Sequence, residues 1–252
     1  MLEPLGSPHH WQWSVTGKHP AFKDYFERGH PLPLMKTFFG WLRKGYAMVA
    51  SRRRDARNDH AWRFWSRGID KGSLVCGLIR DSGDGLGRPY PLLVIGQGPL
   101  EGWEDHWDLV PLACQKTWSE MDDFSRVSFR DLGELERTLS DVPSPEPAWE
   151  RLGQERDRLG RCDFPDSGSP GSDGAVKRIL AEDTGRDFFF IPLNQIPADD
   201  IFRSALTCHV AVGEHLQSPP NAVFMGGTPD KGYLVIYRRA LSAGDFVRLW
   251  SS

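Results

Sequence analysis

The chain has 252 residues, enough for one large domain or two small ones, and either can bury a core that folds without disulfide staples. Hydrophobic residues make up 39% and charged residues 26%, and 31 basic against 34 acidic residues leave a net charge of −3. That balance gives no electrostatic footprint for nucleic acid or an anionic membrane. No run is long enough to span a bilayer and no N-terminal signal pattern is present, so a cytoplasmic protein is expected.

The first thirty residues, rich in His, Pro, Gly and aromatics, read as an irregular strand-and-loop start. From about Leu34 to Ala50, Leu34, Phe38, Trp41, Leu42, Met48 and Val49 recur at helical spacing. Gly40 and Gly45 interrupt that helix and offer places for a neighbouring element to come close. Arg52, Arg53, Arg54 and Arg57 then complement the end of the helix dipole. Ala61 to Ser66, Ser73 to Ile79 and Tyr90 to Ile95 predict three strands in an antiparallel meander, joined by Gly-containing turns. A second helical region starts at Trp103, with Trp107, Val110, Cys114, Trp118 and Met121 on one stripe and Pro111 kinking or dividing it.

Between about Asp141 and Gly174 the prolines, the Gly/Ser cluster and the charges predict a weakly structured excursion, with one amphipathic helical turn around Trp149 to Leu159. Phe188 to Ile191 reads as a buried strand. A helix then starts at Pro197-Ala198-Asp199-Asp200, with Ile201, Ala205, Cys208, Val212 and Leu216 on its face. Strands at Ala222 to Met225 and Tyr233 to Tyr237 and a short helix with Phe246 and Trp250 complete the chain. Asp70-Lys71-Gly72 and Asp230-Lys231-Gly232 both suit hairpin turns, where glycine takes up positive φ.

Chemistry-bearing patterns are sparse. Ser82-Gly83-Asp84-Gly85-Leu86-Gly87-Arg88 resembles a phosphate-cradling loop, but a strand rather than a helix follows it and the Lys-Ser/Thr pair is missing. A hairpin connection is the favoured reading, and a small phosphate- or nucleotide-binding enzyme using Gly83 to Arg88 is the alternative. The eight histidines form no metal-ligand spacing, and Cys76, Cys114, Cys162 and Cys208 form no CxxC. There is no GxSxG elbow, and Asp122-Asp123 and Asp199-Asp200 suit helix ends. The expectation is a non-enzymatic protein without cofactor or metal. Most of the ten tryptophans are expected in the core, and a few in a partner-binding patch.

Three ordered blocks carry a family resemblance. Gly17, Lys18 and Pro20, followed by Asp24 and Tyr25, form the first; Trp62, Arg63 and Phe64 the second; Gly87, Arg88, Pro91 and Leu92 the third. In order and spacing they resemble the TagF (ImpM) family, accessory proteins of the bacterial type VI secretion system. The chain departs from that pattern at Val15-Thr16, where an aromatic pair is usual, and at Lys23, where a glycine precedes the Asp. The resemblance implies a post-translational regulator, usually a repressor, that binds the system's FHA-domain scaffold protein. Lys18, Asp24 and Arg88 are the polar candidates for that contact. Gly17, Pro20, Tyr25, Trp62, Arg63, Phe64, Gly87, Pro91 and Leu92 are expected to shape turns and core, and Arg88 could equally pair with a nearby carboxylate.

The fold expected from these elements is α/β in the α+β sense: a largely antiparallel sheet with helices on both faces, as one domain over 1–252, with a profilin- or longin-like topology as the specific guess. The helices' apolar stripes need a sheet to cover, and two groups of strands need each other to limit exposed edges.

Overall fold

A computed structural model describes residues 10–50, 59–161, 187–193 and 205–252, apart from 207, 210, 211, 214, 215 and 217. Among these residues eight strands form one sheet: β1 (Gln12–Gly17), β2 (Phe26–Gly29), β3 (Ala61–Arg67), β4 (Ser73–Arg80), β5 (Leu92–Pro99), β6 (Phe188–Pro192), β7 (Ala222–Thr228) and β8 (Lys231–Tyr237). Their order is β2-β1-β5-β4-β3-β7-β8-β6 and every pairing is antiparallel. The expected meander is β3-β4-β5, although β5 starts at Leu92 rather than Tyr90 and runs on to Pro99. Strands from both ends of the sequence meet where β3 pairs with β7.

Alternation along β3 shows how the sheet builds two cores, because successive side chains point to opposite faces. Trp62 and Phe64 lie on the face covered by α1 (Pro33–Ala50) and the C-terminal helix, which is α6 below. Phe38 and Phe224 stack on Phe64 at 5.3 and 5.2 Å between ring centres. Trp65 lies on the other face, under α2 (Val110–Ala113), α3 (Gln115–Phe124), α4 (Leu132–Ser140) and α5 (Trp149–Arg161). Helices therefore cover both faces, as the apolar stripes require.

The C-terminal helix α6 (Ala243–Leu249) sits directly against α1. A Cβ at Gly45 would overlap Phe246, so Gly45 is where the two helices close on each other, whereas Gly40 faces open space. Asp245 locks the start of α6. It completes a capping box with Ser242, takes two bonds from Arg239 at 2.7 and 2.9 Å, and takes one from Arg248 at 2.7 Å.

Several local expectations are corrected. Pro111 opens α2 instead of kinking a longer helix, as its missing N–H is harmless in a first turn, and the break falls at Cys114. The excursion is ordered from Asp141 to Arg161. Val142 is buried, the Thr117 hydroxyl donates to the Pro143 carbonyl at 2.9 Å, and α5 has 13 residues. Both Asp-Lys-Gly stretches lie at hairpins, β3–β4 and β7–β8, but only the first glycine takes positive φ. Gly72 has φ +74°, whereas Gly232 lies inside β8 opposite Gly227. The Arg52 to Arg57 run, Cys162, the segment 162–174 and the helix start at Pro197 lie outside the described residues. Ala205, Leu206, Cys208, His209, Val212 and Gly213 are helical, and Ala205, Cys208 and Val212 are buried as that helix's face predicts.

Candidate functional site

Gly17 ends β1 at φ +130°, and a Cβ there would overlap the Pro91 carbonyl oxygen, so only glycine lets the chain leave β1 against the start of β5. Buried Pro91 and Leu92 thus belong to the same junction as the Gly-Lys-His-Pro block. From this junction Lys18 reaches across to the β4–β5 hairpin. Its Nζ lies 2.9 Å from Asp84 Oδ2 and donates to the Arg88 carbonyl at 3.4 Å.

Asp84 is the centre of the arrangement and is 3% exposed. Its Oδ1 accepts the backbone N–H groups of Leu86 (3.1 Å) and Arg88 (3.0 Å), and its Oδ2 accepts Arg88 Nε at 2.7 Å. Gly87, at φ +77°, turns the loop so that its own N–H donates to the Asp84 carbonyl at 2.8 Å. These donors, with the Lys18 ammonium, outweigh burial and hold the carboxyl well below the usual carboxylate range. The loop that resembles a phosphate cradle has its amides turned inward on an anion of its own. Asp84 is therefore a fixed negative charge, not a proton-transfer group.

Arg88 continues outward. It donates to the Lys23 carbonyl at 2.6 Å and approaches Asp24 Oδ1 at 3.6 Å. Gly85 N–H donates to the Phe22 carbonyl at 2.7 Å, fastening the segment from exposed Pro20 to Tyr25 across the hairpin. Lys18, Asp24 and Arg88 therefore do come together, and Lys18 and Arg88 are largely spent on Asp84. Beside them Tyr25 and Leu86 are exposed, at 45% and 65%. The Tyr25 hydroxyl bonds that of buried Thr16, and its ring meets Tyr90 edge-on at 5.5 Å; Tyr90 in turn meets Tyr46 at 4.8 Å. Both departures from the family pattern lie here. Val15 fills the core, Thr16 orients Tyr25, and the Lys23 carbonyl anchors Arg88.

Trp62 and Phe64 are fully buried on the α1 face, well away from this node, and Arg63 lies half-buried on the opposite face. Among the described residues no group of three His, Cys, Asp or Glu is placed to hold a metal ion. No helix of the described residues is long and apolar enough to cross a membrane. Asp84 is the residue that sequence reading missed. Its one signal is an Asp two residues before the N–H it caps, in a glycine-rich turn.

The blocks that build this node lie in a stretch that is similar to known proteins. Residues 14–142 match the family model of the TagF N-terminal domain, described as type VI secretion system-associated. The fold is similar to the crystal structure of PA0076 from Pseudomonas aeruginosa PAO1, with a TM-score of 0.52 and 16% identity over 95% of this chain and 94% of that one. No curated protein matches the sequence with significance. With the matched stretch covering half of its length, this chain belongs to the TagF family of type VI secretion system-associated proteins.

Proposed function

We propose that this protein is a cytoplasmic, non-enzymatic regulator of type VI secretion, a repressor, that acts by binding protein, and that its partner is the system's FHA-domain scaffold. The observation that carries this reading is the surface at the β4–β5 hairpin. Exposed Tyr25 and Asp24 of the β1–β2 connection stand beside Leu86 and Arg88 of the hairpin loop, which Asp84 fixes from beneath. A rigid aromatic and an apolar tip rimmed by charges of both signs suit a protein interface, because little ordering entropy is lost when they bind. No cofactor enters this reading.

Asp24, with a side chain 79% exposed, is the clean probe among the three polar candidates, since reversing Lys18 or Arg88 would also unfasten Asp84. The test pairs co-purification of the FHA-domain scaffold with a secretion assay in a deletion strain. Tyr25→Ala and Asp24→Arg should each weaken capture by about tenfold, equivalent to roughly 1.4 kcal/mol, with the fold retained in both and the melting temperature unchanged in Asp24→Arg. Secretion should rise on deletion. Unchanged secretion in the deletion strain, or capture of both variants equal to that of the wild type, would overturn the reading.

A further inference from the structure

The second family block leaves one residue without a structural role. Arg63 stands on the α3 face of β3, opposite Leu78, while Arg80 of β4 stands opposite Ala61. The two arginines are therefore diagonal neighbours on one face of the sheet. Asp122 of α3 lies above them. Its Oδ1 accepts Arg80 Nη1 at 3.3 Å, and its Oδ2 lies 2.9 Å from Arg126 Nη2. Arg80 also donates to the Ser125 hydroxyl at 2.9 Å, and that hydroxyl donates onward to the Asp122 carbonyl at 2.6 Å. Each carboxylate oxygen thus already faces one guanidinium. Among the described residues Arg63 has neither a hydrogen bond nor an ion pair, though it is half-buried.

The half-buried Arg63 guanidinium is partly stripped of water, which is costly, and the counter-charge it feels, Asp122, is one it shares with Arg80 and Arg126. Burial, the largest effect, lowers the pKa of Arg63; the charge of Asp122 raises it and that of Arg126 lowers it again. Among the described residues, three guanidiniums share the one carboxylate of Asp122, a surplus of two positive charges. Arg126 has a side chain 63% exposed and opens the group to solvent, while Arg80 and Asp122 stay largely covered at 24% and 19%.

We infer that Arg63, Arg80 and Arg126, grouped around Asp122, form a binding site for a dianionic phosphate group. A phosphate monoester carries about two negative charges at neutral pH and three strong acceptor oxygens, which matches both the surplus charge and the planar donor forks of arginine. A carboxylate would neutralise half of the surplus. The site is separate from the Asp84 node, where cations and loop amides are already satisfied internally, and it does not depend on the identity of the protein partner.

The test is calorimetric titration of the full chain at constant ionic strength, with inorganic phosphate in one arm and a phosphoserine peptide without other charged side chains in the other. Saturable one-to-one binding is expected, weakened by about tenfold or more in Arg63→Met. Arg28→Gln, at an exposed pair with Glu136, should leave it unchanged. If Arg63→Met does not fold, Arg126→Gln on the exposed rim should show the same loss. Tighter binding of the peptide than of phosphate would identify a phosphorylated side chain as the source, and equal binding a free phosphate. Absence of saturable binding in both arms, or binding that survives Arg63→Met and Arg126→Gln, would overturn the inference.

Discussion

Replacing His209 with methionine should make the protein more stable, by an amount that grows as the pH falls. His209 is fully buried, with Trp65 and Trp107 at 6.0 and 5.4 Å between ring centres, and neither ring nitrogen has a hydrogen-bond partner among the described residues. Burial pushes its pKa down to about 3. The unfolded chain takes up a proton at this residue near pH 6.5, whereas the folded chain resists until about pH 3. The unfolded state therefore binds more protons throughout that window, and stability is complete above it and is lost as the pH drops through it. Each pH unit below 6.5 costs about 1.4 kcal/mol, so the loss at pH 5 is about 2 kcal/mol. Methionine is similar in volume, fits among the indoles and removes two unsatisfied nitrogens, which adds about 1–3 kcal/mol at every pH. Urea unfolding of both proteins from about pH 7.5 to about pH 5 isolates the His209 contribution, because all other groups titrate alike and cancel in the difference. A difference that stays flat across this range would refute the reasoning.

Two further perturbations probe the packing and the hairpin. Gly40→Ala and Gly45→Ala, on the same helix, should act in opposite directions in thermal or denaturant unfolding. The first has open space and gains about 0.5–1 kcal/mol, whereas the second drives a methyl into Phe246 and costs about 1–3 kcal/mol. Asp84→Asn should free the β4–β5 loop, read as faster amide exchange at Leu86 and Arg88 with the sheet amides unaffected. Because its partners hold the Asp84 carboxyl low, the wild-type loop should stay protected at any pH above the usual carboxylate range and open only as the pH falls below it.

The elements that were legible in sequence are those whose local pattern and tertiary environment agree. β3, β4 and β5 announce themselves through dense aromatic and branched residues, and α1 through its stripe, because both are set by burial of one face or two. α4 escaped because Leu135 and Leu139 are its only buried apolar residues among charges. Its true signal is the cap, where the Asp131 side chain accepts the Glu134 N–H at 2.8 Å and Glu134 reaches back to the Arg130 N–H at 2.7 Å. At the candidate site the glycines and prolines were readable as turns, and Arg88 as a residue in need of a carboxylate. The identity of that carboxylate was not readable. Lys18 meets Asp84 because β1 pairs with β5 in a particular register, which no short window of sequence contains. Arg63 was read as structural for the same reason. That it has no hydrogen bond or ion pair among the described residues is visible only once Asp122 is seen to bridge Arg80 and Arg126.

The pairing of β3 with β7 has a consequence for how the molecule comes into being. The stretch matched to the TagF N-terminal domain ends at residue 142, and β7 begins at Ala222. During synthesis the meander β3-β4-β5 can assemble long before its neighbour exists, presenting the open side of a seven-residue strand that carries Trp62, Phe64 and Trp65. Such a border invites the same strand of another nascent chain. Phe224 and Phe246, which seal the α1 face, also arrive last. A fragment cut at residue 142 would keep that border for good, so it should be recovered as aggregates, and the N-terminal stretch alone is an unsuitable reagent for partner capture.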